Sequence, residues 1–413
     1  MPGRCSATCP GASRADEADE TDETGETGET DERGPDVHKV IDGDGHVFEW
    51  DRTFADEFLD AEFRHRRPVV VDGPQQLHWL VDNVAYPGLY GADRFGFEGS
   101  PVSRGDLRRD SIVPKRESLD VLEIRDPAER LALHRDEGID VAVIYPTLFL
   151  VRPLSRDARF EAALCRSYNN WMADLCSRGQ GTLAWVAVVD FHDPVAAAAE
   201  IGRAKGLGAV GVMAPGMVDT ESIAAARFDP IWAAAAEHDL GVGVHVAYCT
   251  PLDTFTFVFS VLMGCEQVIA SGLLDRHPGL RVAFLETSCN WVPFLVERLE
   301  EKANPARRRF KPDRPLDTVV DRPEQGGYHA ELTPQEYIDR GNVYFGFEVE
   351  DPLLPYCVEH FGEDCWIFGS DIPHGDRLAN AAKVLQERTD LKDDAKRKML
   401  LDNVARFYRM AIE

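Results

Sequence analysis

The sequence has no Cys-x-x-Cys pair, no long hydrophobic segment and comparatively little positive charge. Its nine cysteines are scattered along the chain, and none forms a Cys-x-x-Cys motif. We therefore expect free, mostly buried thiols and a reducing, cytoplasmic location. No apolar run approaches the length that a membrane-spanning helix needs.

The shortage of positive charge limits the classes of partner that the protein could bind. Lys and Arg together number 45, against 72 Asp and Glu, so the formal net charge is -27. Such acidity argues against nucleic acid and against anionic membrane surfaces as partners. Part of it lies in residues 1–36, which repeat Asp, Glu, Thr and Gly. This segment cannot bury apolar surface and has no signal-peptide core, so we predict a disordered acidic tail.

After the tail, short apolar segments alternate with mostly helical patterns. Eight such segments over this length favour a closed (β/α)8 barrel, an α/β fold of the TIM-barrel type, covering residues 37–413. A stretch rich in Pro, Gly and charge, at about 48–122, is predicted to be a long insertion after the first strand. There is no Gly-x-Gly-x-x-Gly motif after that strand, which disfavours a dinucleotide-binding fold. The eight predicted strands cover residues 39–46, 139–146, 182–190, 209–213, 241–246, 281–286, 342–348 and 365–371.

The carboxyl ends of barrel strands carry the active groups of this fold. Asp44 and His46 are two residues apart in an extended segment, so they share one face. Together with His245 and Asp371 they would offer two carboxylates and two imidazoles to a divalent ion such as Zn²⁺ or Mn²⁺. Open positions on that ion would take a water or a substrate oxygen. The other polar residues at predicted strand ends are Tyr145, Thr147, Asp190, His192, Glu286 and Glu348.

Each of these residues also has a structural interpretation. His245 could be a hydrogen-bonded core histidine, and Asp44 could be a turn residue in an Asp-Gly pair. His192 is predicted to be structural. His374 follows Asp371 by three residues and is a candidate proton donor, while Glu49 is either a ligand, a supporting residue or a surface acid.

Several motifs together resemble one known family. The segments that carry the resemblance are Ile41–Glu49, Tyr145–Thr147, Ser167–Trp171, Val244–His245, Phe284–Glu286 and Phe368–His374. In order and spacing they resemble the amidohydrolase-related family that includes aminocarboxymuconate-semialdehyde decarboxylase and γ-resorcylate decarboxylase. The resemblance covers residues from about 41 to the C-terminus.

The resemblance implies a barrel with one catalytic divalent ion, held here by Asp44, His46, His245 and Asp371, and a homodimer. Two positions depart from the family pattern. Many members have His-x-His in the first strand, where this chain has Asp44 and His46. The family's decarboxylases carry a histidine at the end of the sixth strand, where this chain has Glu286.

Three functions remain open at this point. The first is a non-oxidative, metal-dependent decarboxylase of a small carboxylic acid, with no redox cofactor. The second is a hydrolase of an amide, lactone or ester, in which the ion activates water. The third is a barrel that binds a ligand without catalysis. Asp371, Glu286 and His374 are the predicted catalytic residues, and Thr147 and Trp291 are predicted to contact a small-molecule substrate.

Overall fold

The computed structural model describes residues 38–72, 76–91, 117–151, 153–246, 256–304, 327–375 and 377–411. The predicted acidic tail, residues 1–36, lies outside these ranges. The strands are β1 (Ile41–Val47), β2 (Val69–Asp72), β3 (Gln76–Val81), β4 (Val84–Gly91), β5 (Val141–Pro146), β6 (Leu183–Val188), β7 (Gly211–Pro215), β8 (Met217–Val218), β9 (Glu221–Ser222), β10 (Gly241–His245), β11 (Val282–Phe284), β12 (Val343–Phe347) and β13 (Trp366–Phe368).

Eight of these strands form one parallel sheet in the order β1-β5-β6-β7-β10-β11-β12-β13. All eight coincide with predicted strands, which confirms the barrel. The first and last strands of the sheet are joined where β13 has just ended. The backbone N–H of Asp371 donates to the carbonyl of Asp44 at 3.0 Å, and the N–H of His46 donates to that of Ile372 at 2.6 Å. Closure therefore occurs at the residues predicted to bind metal.

Helices connect the barrel strands. Several begin at an aspartate that accepts backbone N–H groups of the first turn, as Asp193 does from Ala196 at 3.0 Å, and this is the capping preference that the sequence predicts. The helices are α1 (Leu119–Leu122), α2 (Pro127–Asp136), α3 (Ala158–Ser177), α4 (Pro194–Gly206), α5 (Asp229–Glu237), α6 (Thr256–Ala270), α7 (Leu273–Arg276), α8 (Val292–Ala303), α9 (Pro334–Asp339), α10 (Leu354–Phe361), α11 (Ala381–Glu387), α12 (Asp393–Arg397) and α13 (Asn403–Tyr408).

One helix prediction is wrong in detail. The apolar run at about 255–276 predicts a single helix, but the structure divides its described part into α6 and α7. Gly272 lies between them with φ +77°, a conformation that ends a helix and that glycine adopts without steric cost. No helix among the described residues is long and apolar enough to cross a membrane.

The insertion after β1 contains structure of its own. The valine run within residues 67–72 predicts a small extra strand, and the structure confirms it, since β2, β3 and β4 form a small antiparallel sheet. Trp79 of β3 is buried and its ring meets that of Phe54 edge-on, with the centroids 5.5 Å apart. Phe54 belongs to the same insertion, and its ring lies 6.4 Å from that of Phe149, which follows β5, so this second aromatic contact packs the insertion onto the barrel.

Barrel strands carry apolar side chains into the interior below the strand ends. Tyr145, Tyr344, Phe407 and Tyr408 are buried there together, and α13 supplies the last two of them. We call this group the floor cluster. The six cysteines among the described residues are all free thiols, as predicted.

Candidate metal centre

Five polar side chains meet at the mouth of the barrel. Asp44 and His46 lie on β1, His245 is the last residue of β10, Glu286 follows β11 by two residues, and Asp371 follows β13 by three. Both histidines are completely buried. The side chains of Glu286 and Asp371 keep 25% and 22% of their exposure, so the centre opens to solvent on their side.

The donor atoms form two overlapping groups that share His46, and within each group they lie within 4.8 Å of one another. One group is Asp44, His46 and His245, and the other is His46, Glu286, Asp371 and His374. His46 Nε2 is 3.7 Å from Asp44 Oδ1 and 3.5 Å from Asp371 Oδ1. His245 Nε2 is 3.4 Å from Asp44 Oδ1 and 3.0 Å from Glu286 Oε2. Donors bound to one ion at about 2.1 Å lie roughly 3.0–3.4 Å apart at adjacent positions. The spacing therefore fits a shared ion.

Both imidazoles are oriented by backbone carbonyls. His46 Nδ1 lies 3.0 Å from the carbonyl of Pro146, and His245 Nδ1 lies 2.9 Å from that of Val246. A carbonyl oxygen only accepts, so each Nδ1 carries the proton. In the neutral ring Nε2 then has a lone pair that faces the centre, as in histidines that bind metals.

Four buried atoms at this centre make no hydrogen bond: Asp44 Oδ1, His46 Nε2, His245 Nε2 and Glu286 Oε2. Buried polar atoms without partners are costly, and those of a native protein call for an explanation. A divalent cation would satisfy all four at once. Oxygen and imidazole donors in this combination suit Mn²⁺ and Zn²⁺. The residues present therefore fit the metal that the sequence predicts.

The electrostatics of the centre are those of crowded, buried charges. Burial raises the pKa of Asp44, although His245 opposes the shift. Burial lowers the pKa of His245, but Asp44 and Glu286 outweigh it and raise that pKa well above its ordinary value. The pKa of His46 falls well below its ordinary value, because of burial and of the two neighbouring histidines His374 and His245. Without a cation, a proton on His245 would be the main compensation for the carboxylates.

His374 links the centre to the end of β5. Its Nδ1 lies 2.5 Å from Asp371 Oδ1, and its Nε2 lies 3.0 Å from the hydroxyl of Thr147. Its ring also stacks on that of His46, with the centroids 4.2 Å apart. The structure therefore brings Asp371, His374 and Thr147 into one hydrogen-bonded series beside the predicted ligands.

Trp291, the second predicted substrate contact, is half-buried. Its indole N–H donates to the hydroxyl of Thr287 at 3.2 Å, and its ring meets that of Phe345 edge-on. These contacts fix the ring against the barrel wall, and its contact with a substrate stays a prediction.

The backbone is strained at two of the carboxylates. Glu286 and Asp371 have φ of +54° and +55°, in the left-handed region that residues other than glycine rarely adopt. Each such residue costs about 1–2 kcal/mol. Both follow a strand end, where the change of direction brings the carboxylate back over the barrel mouth.

Two supporting residues were not recognised in the sequence. Asp42 of β1 is buried, and its side chain binds Ser370, which follows β13. Its Oδ1 accepts the N–H of Ser370 at 2.9 Å, and its Oδ2 accepts the Ser370 hydroxyl at 2.5 Å. Burial raises its pKa to about 6, against the effect of these hydrogen bonds. Asp42 shares the period-two spacing of Asp44 and His46, so that pattern could have revealed it. Gly369 allows the close approach, because a Cβ there would lie 2.7 Å from Cβ of Asp44.

The second is Arg130 of α2, which no motif indicated. Its buried guanidinium donates to the carbonyls of His46, of Ile372 at 2.9 Å and of Val121 at 2.8 Å. Burial lowers its pKa to about 9. Arg130 thus holds the backbone of β1 against the segment that carries Asp371.

The remaining candidates lie outside the donor set. Glu49 is buried, and its Oε2 accepts the backbone N–H of Leu148 at 2.7 Å, so it supports the end of β5. His192 lies between Asp190 at 3.0 Å and Asp219 at 3.2 Å, as expected of a structural histidine. Glu348, at the end of β12, is exposed.

Comparisons with known proteins agree with this architecture. The sequence model of the amidohydrolase family Amidohydro_2 matches residues 41–410. The gamma-resorcylate decarboxylase of Rhodococcus jostii (strain RHA1) is 24% identical over 294 residues, which cover 62% of this chain and 85% of the relative.

Solved structures show the same fold. An amidohydrolase from Mycobacterium avium subsp. paratuberculosis superimposes with a TM-score of 0.70 at 22% identity, covering 90% of this chain and 99% of the other. A 5-carboxyvanillate decarboxylase from Novosphingobium aromaticivorans, solved with bound manganese, gives 0.63 at 18% identity, with 90% and 97% covered. A 2,6-dihydroxybenzoate decarboxylase from Rhizobium gives 0.60 at 16% identity, with 91% and 99% covered.

Proposed function

The chain belongs to the amidohydrolase family, and from this premise we propose that it is a divalent-metal-dependent, non-oxidative decarboxylase of a small carboxylic acid. The observation that carries the proposal is the convergence of buried, unsatisfied oxygen and nitrogen atoms of Asp44, His46, His245 and Glu286 at the barrel mouth. The decarboxylases among the relatives and structural neighbours favour the reaction class.

Asp44, His46, His245 and Asp371 would hold the ion. Mn²⁺ is supported by its presence in decarboxylases of the same fold, and Zn²⁺ by the two imidazoles. When bound, the ion would supply a positive charge that orients a substrate oxygen and stabilises negative charge as CO₂ leaves.

The protein's own residues would manage the proton. Loss of CO₂ breaks a carbon–carbon bond and leaves its electron pair on the substrate carbon, which must take up one proton. We assign that proton to the carboxyl group of Asp371. His374 lies within hydrogen-bonding distance of this carboxyl group and can return a proton to it after each turnover. Thr147 would fix the orientation of the His374 ring through the contact at Nε2. Glu286, also predicted to be catalytic, faces His245 with its Oε2 and is less suited to this step.

Hydrolysis of an amide, lactone or ester is the second candidate. The observation in its favour is Glu286, a carboxylate where the family's decarboxylases carry a histidine. A carboxylate beside a metal-activated water can accept its proton.

Product analysis would separate the candidates. Protein loaded with Mn²⁺ or Zn²⁺ is offered a panel of small aromatic and enoic acids and, separately, amides, lactones and esters. Our proposal expects release of CO₂ or bicarbonate from a member of the first panel. Release of amine, alcohol or acid from the second would establish the hydrolase instead. No turnover on either panel by the metal-loaded protein would favour a barrel that only binds.

The Asp371→Asn variant tests the proton assignment. We expect turnover to fall by about 100-fold or more, the usual contribution of a positioned acid or base. His192→Ala is the matched control, since His192 pairs with Asp190 and Asp219 outside the donor set. Full turnover by Asp371→Asn would show that the assigned role is wrong.

We further propose a cytoplasmic homodimer. The six free thiols among the described residues support a reducing compartment. The exposed side chains of Phe259, Met263 and Phe294 support an apolar contact between copies. Light scattering of the purified protein tests the dimer, and the mass of a single chain at all concentrations would contradict it. Location is tested by fractionating cells that express the chain, and recovery outside the cytoplasm would contradict that part.

A further inference from the structure

We propose that Glu286 is a fifth protein ligand of the metal and that its turn is built for this role. The inference rests on the proposed function to the extent that it requires a bound divalent ion. It differs from the catalytic role that the sequence suggests for this position.

The first argument is the direction of the side chain. Glu286 Oε2 lies 3.0 Å from His245 Nε2 and 3.8 Å from His46 Nε2. A residue that exchanges protons with a substrate must present its oxygen to the pocket. The buried oxygen of Glu286 instead faces the same two nitrogens that Asp44 Oδ1 faces at 3.4 and 3.7 Å. The two carboxylates therefore have equivalent relations to the histidine pair.

The second argument is the chemistry of that contact. Nδ1 of both histidines faces a carbonyl oxygen, so in the neutral rings both Nε2 atoms are acceptors. A carboxylate oxygen is also an acceptor, and acceptors this close repel one another unless a cation lies between them. Without a metal ion, a proton on His245 Nε2, 3.0 Å from Glu286 Oε2, would be needed to offset the repulsion. A metal ion shared with His245 and His46 removes the conflict.

The third argument is the support of the turn that follows Glu286. The buried carboxylate of Asp351 accepts the hydroxyl of Ser288 at 2.7 Å, the backbone N–H of Cys289 at 2.7 Å and the amide of Asn290 at 2.8 Å. These bonds hold a segment in which both Glu286 and Ser288 have positive φ. Strained backbone that is held in place by several surrounding hydrogen bonds is typical of functional sites.

A fifth ligand has a consequence for substrate binding. Asp44, Glu286, Asp371 and the two histidines would fill five positions of a six-coordinate ion, and three carboxylates would favour a hard ion such as Mn²⁺. One position then remains for a substrate, which would bind the ion through a single oxygen. A six-coordinate ion with only four protein ligands would instead leave two positions, which a chelating substrate could fill.

The experiment is a Mn²⁺ titration of the full-length protein, followed by the electron paramagnetic resonance signal of free Mn²⁺. We expect Glu286→Gln to weaken Mn²⁺ binding by more than about 10-fold, since even partners outside the coordination sphere cost about 10- to 100-fold. Glu348→Gln is the matched control, because Glu348 is a glutamate at the end of the neighbouring strand β12 but is exposed. It should bind Mn²⁺ as the wild type does.

A second readout counts waters on the ion. Proton relaxation of the Mn²⁺-loaded protein should show one more exchangeable water in Glu286→Ala than in the wild type. Circular dichroism of the metal-free variants checks folding, and Glu286→Asp, which keeps the carboxylate, provides an intermediate case. Wild-type protein that binds Mn²⁺ tightly, with equal binding by Glu286→Gln and no added water, would overturn this inference and leave the proposed function standing. Wild-type protein that binds no divalent ion would overturn both.

Discussion

The two ends of the barrel interior differ in how their buried polar side-chain atoms are hydrogen-bonded. In the floor cluster the hydroxyls of Tyr145 and Tyr408 lie 2.8 Å apart, and Tyr408 donates to the carbonyl of Gly43 at 2.7 Å. At the mouth, His245 stacks over Tyr145 with ring centroids 5.3 Å apart, yet its Nε2 makes no hydrogen bond. One layer of side chains thus separates a hydrogen-bonded tyrosine pair from the unpaired donors of the mouth, although the hydroxyl of Tyr344 in the floor cluster also makes no hydrogen bond. The buried rings of the floor cluster stabilise the barrel, and the donor atoms at the mouth fit a bound metal ion.

The largest effect should come from removing a ligand at the mouth. We expect His245→Ala to reduce Mn²⁺ or Zn²⁺ affinity by more than about 100-fold, beyond the cost of losing an outer partner, and to abolish turnover. Metal content after dialysis is the measurement. His192→Ala, which also removes a histidine near a strand end, should retain the metal. Equal metal content in the two variants would show that His245 does not hold the ion.

The next effect concerns the floor. Phe407 is completely buried and packs edge-on against Tyr344, with ring centroids 5.2 Å apart. Phe407→Ala should lower the free energy of unfolding by about 3–5 kcal/mol, through lost burial and the cavity left behind. Urea denaturation measures this change. Metal affinity of the folded variant should stay within about threefold of the wild type, and a loss comparable to that of His245→Ala would show that the two ends are not independent.

The smallest effect is a pH dependence at Glu49, which follows β1 and supports the end of β5. Burial raises the pKa of Glu49 to about 7, against the effect of the backbone N–H groups that it accepts. Because this pKa lies above that of the unfolded chain, the native state binds the proton more tightly. The group therefore destabilises the protein above about pH 7, and the penalty fades as the pH falls towards the ordinary value of a glutamate.

Glu49→Gln should accordingly raise the free energy of unfolding by roughly 1–3 kcal/mol at about pH 8 and by much less at about pH 5.5. The glutamine oxygen can still accept the N–H of Leu148. Urea denaturation with a chelator present isolates this effect from metal binding. A gain that is larger at the lower pH would contradict the assigned shift.

The sequence predicts the repeating part of this molecule well. Parallel strands such as β5 and β10 are short apolar runs that end at a polar residue or just before one, so both their position and the end at which His245 lies follow from the pattern. Strand-end position and the Asp-x-His spacing propose Asp44, His46, His245 and Asp371 as a ligand set, and the resemblance to a family implies the same four residues.

Other features depend on long-range packing that periodicity does not record. Arg130 looks like an ordinary helix residue, and only the closed barrel places its guanidinium against the carbonyls of His46 and Ile372. Asp351 holds the turn after Glu286 from a different loop. The positive φ of Glu286 likewise follows from the fold as a whole, since no glycine marks the position.

The central claim is that one ion is shared by side chains from three different strands of the barrel, β1, β10 and β13. Anomalous scattering from a crystal of the protein grown with Mn²⁺ tests it most directly. The account predicts a single strong peak at the barrel mouth, about 2.1–2.3 Å from donor atoms of Asp44, His46, His245 and Asp371. A map with no peak among these residues, or with its peak bound to other side chains, would contradict the account.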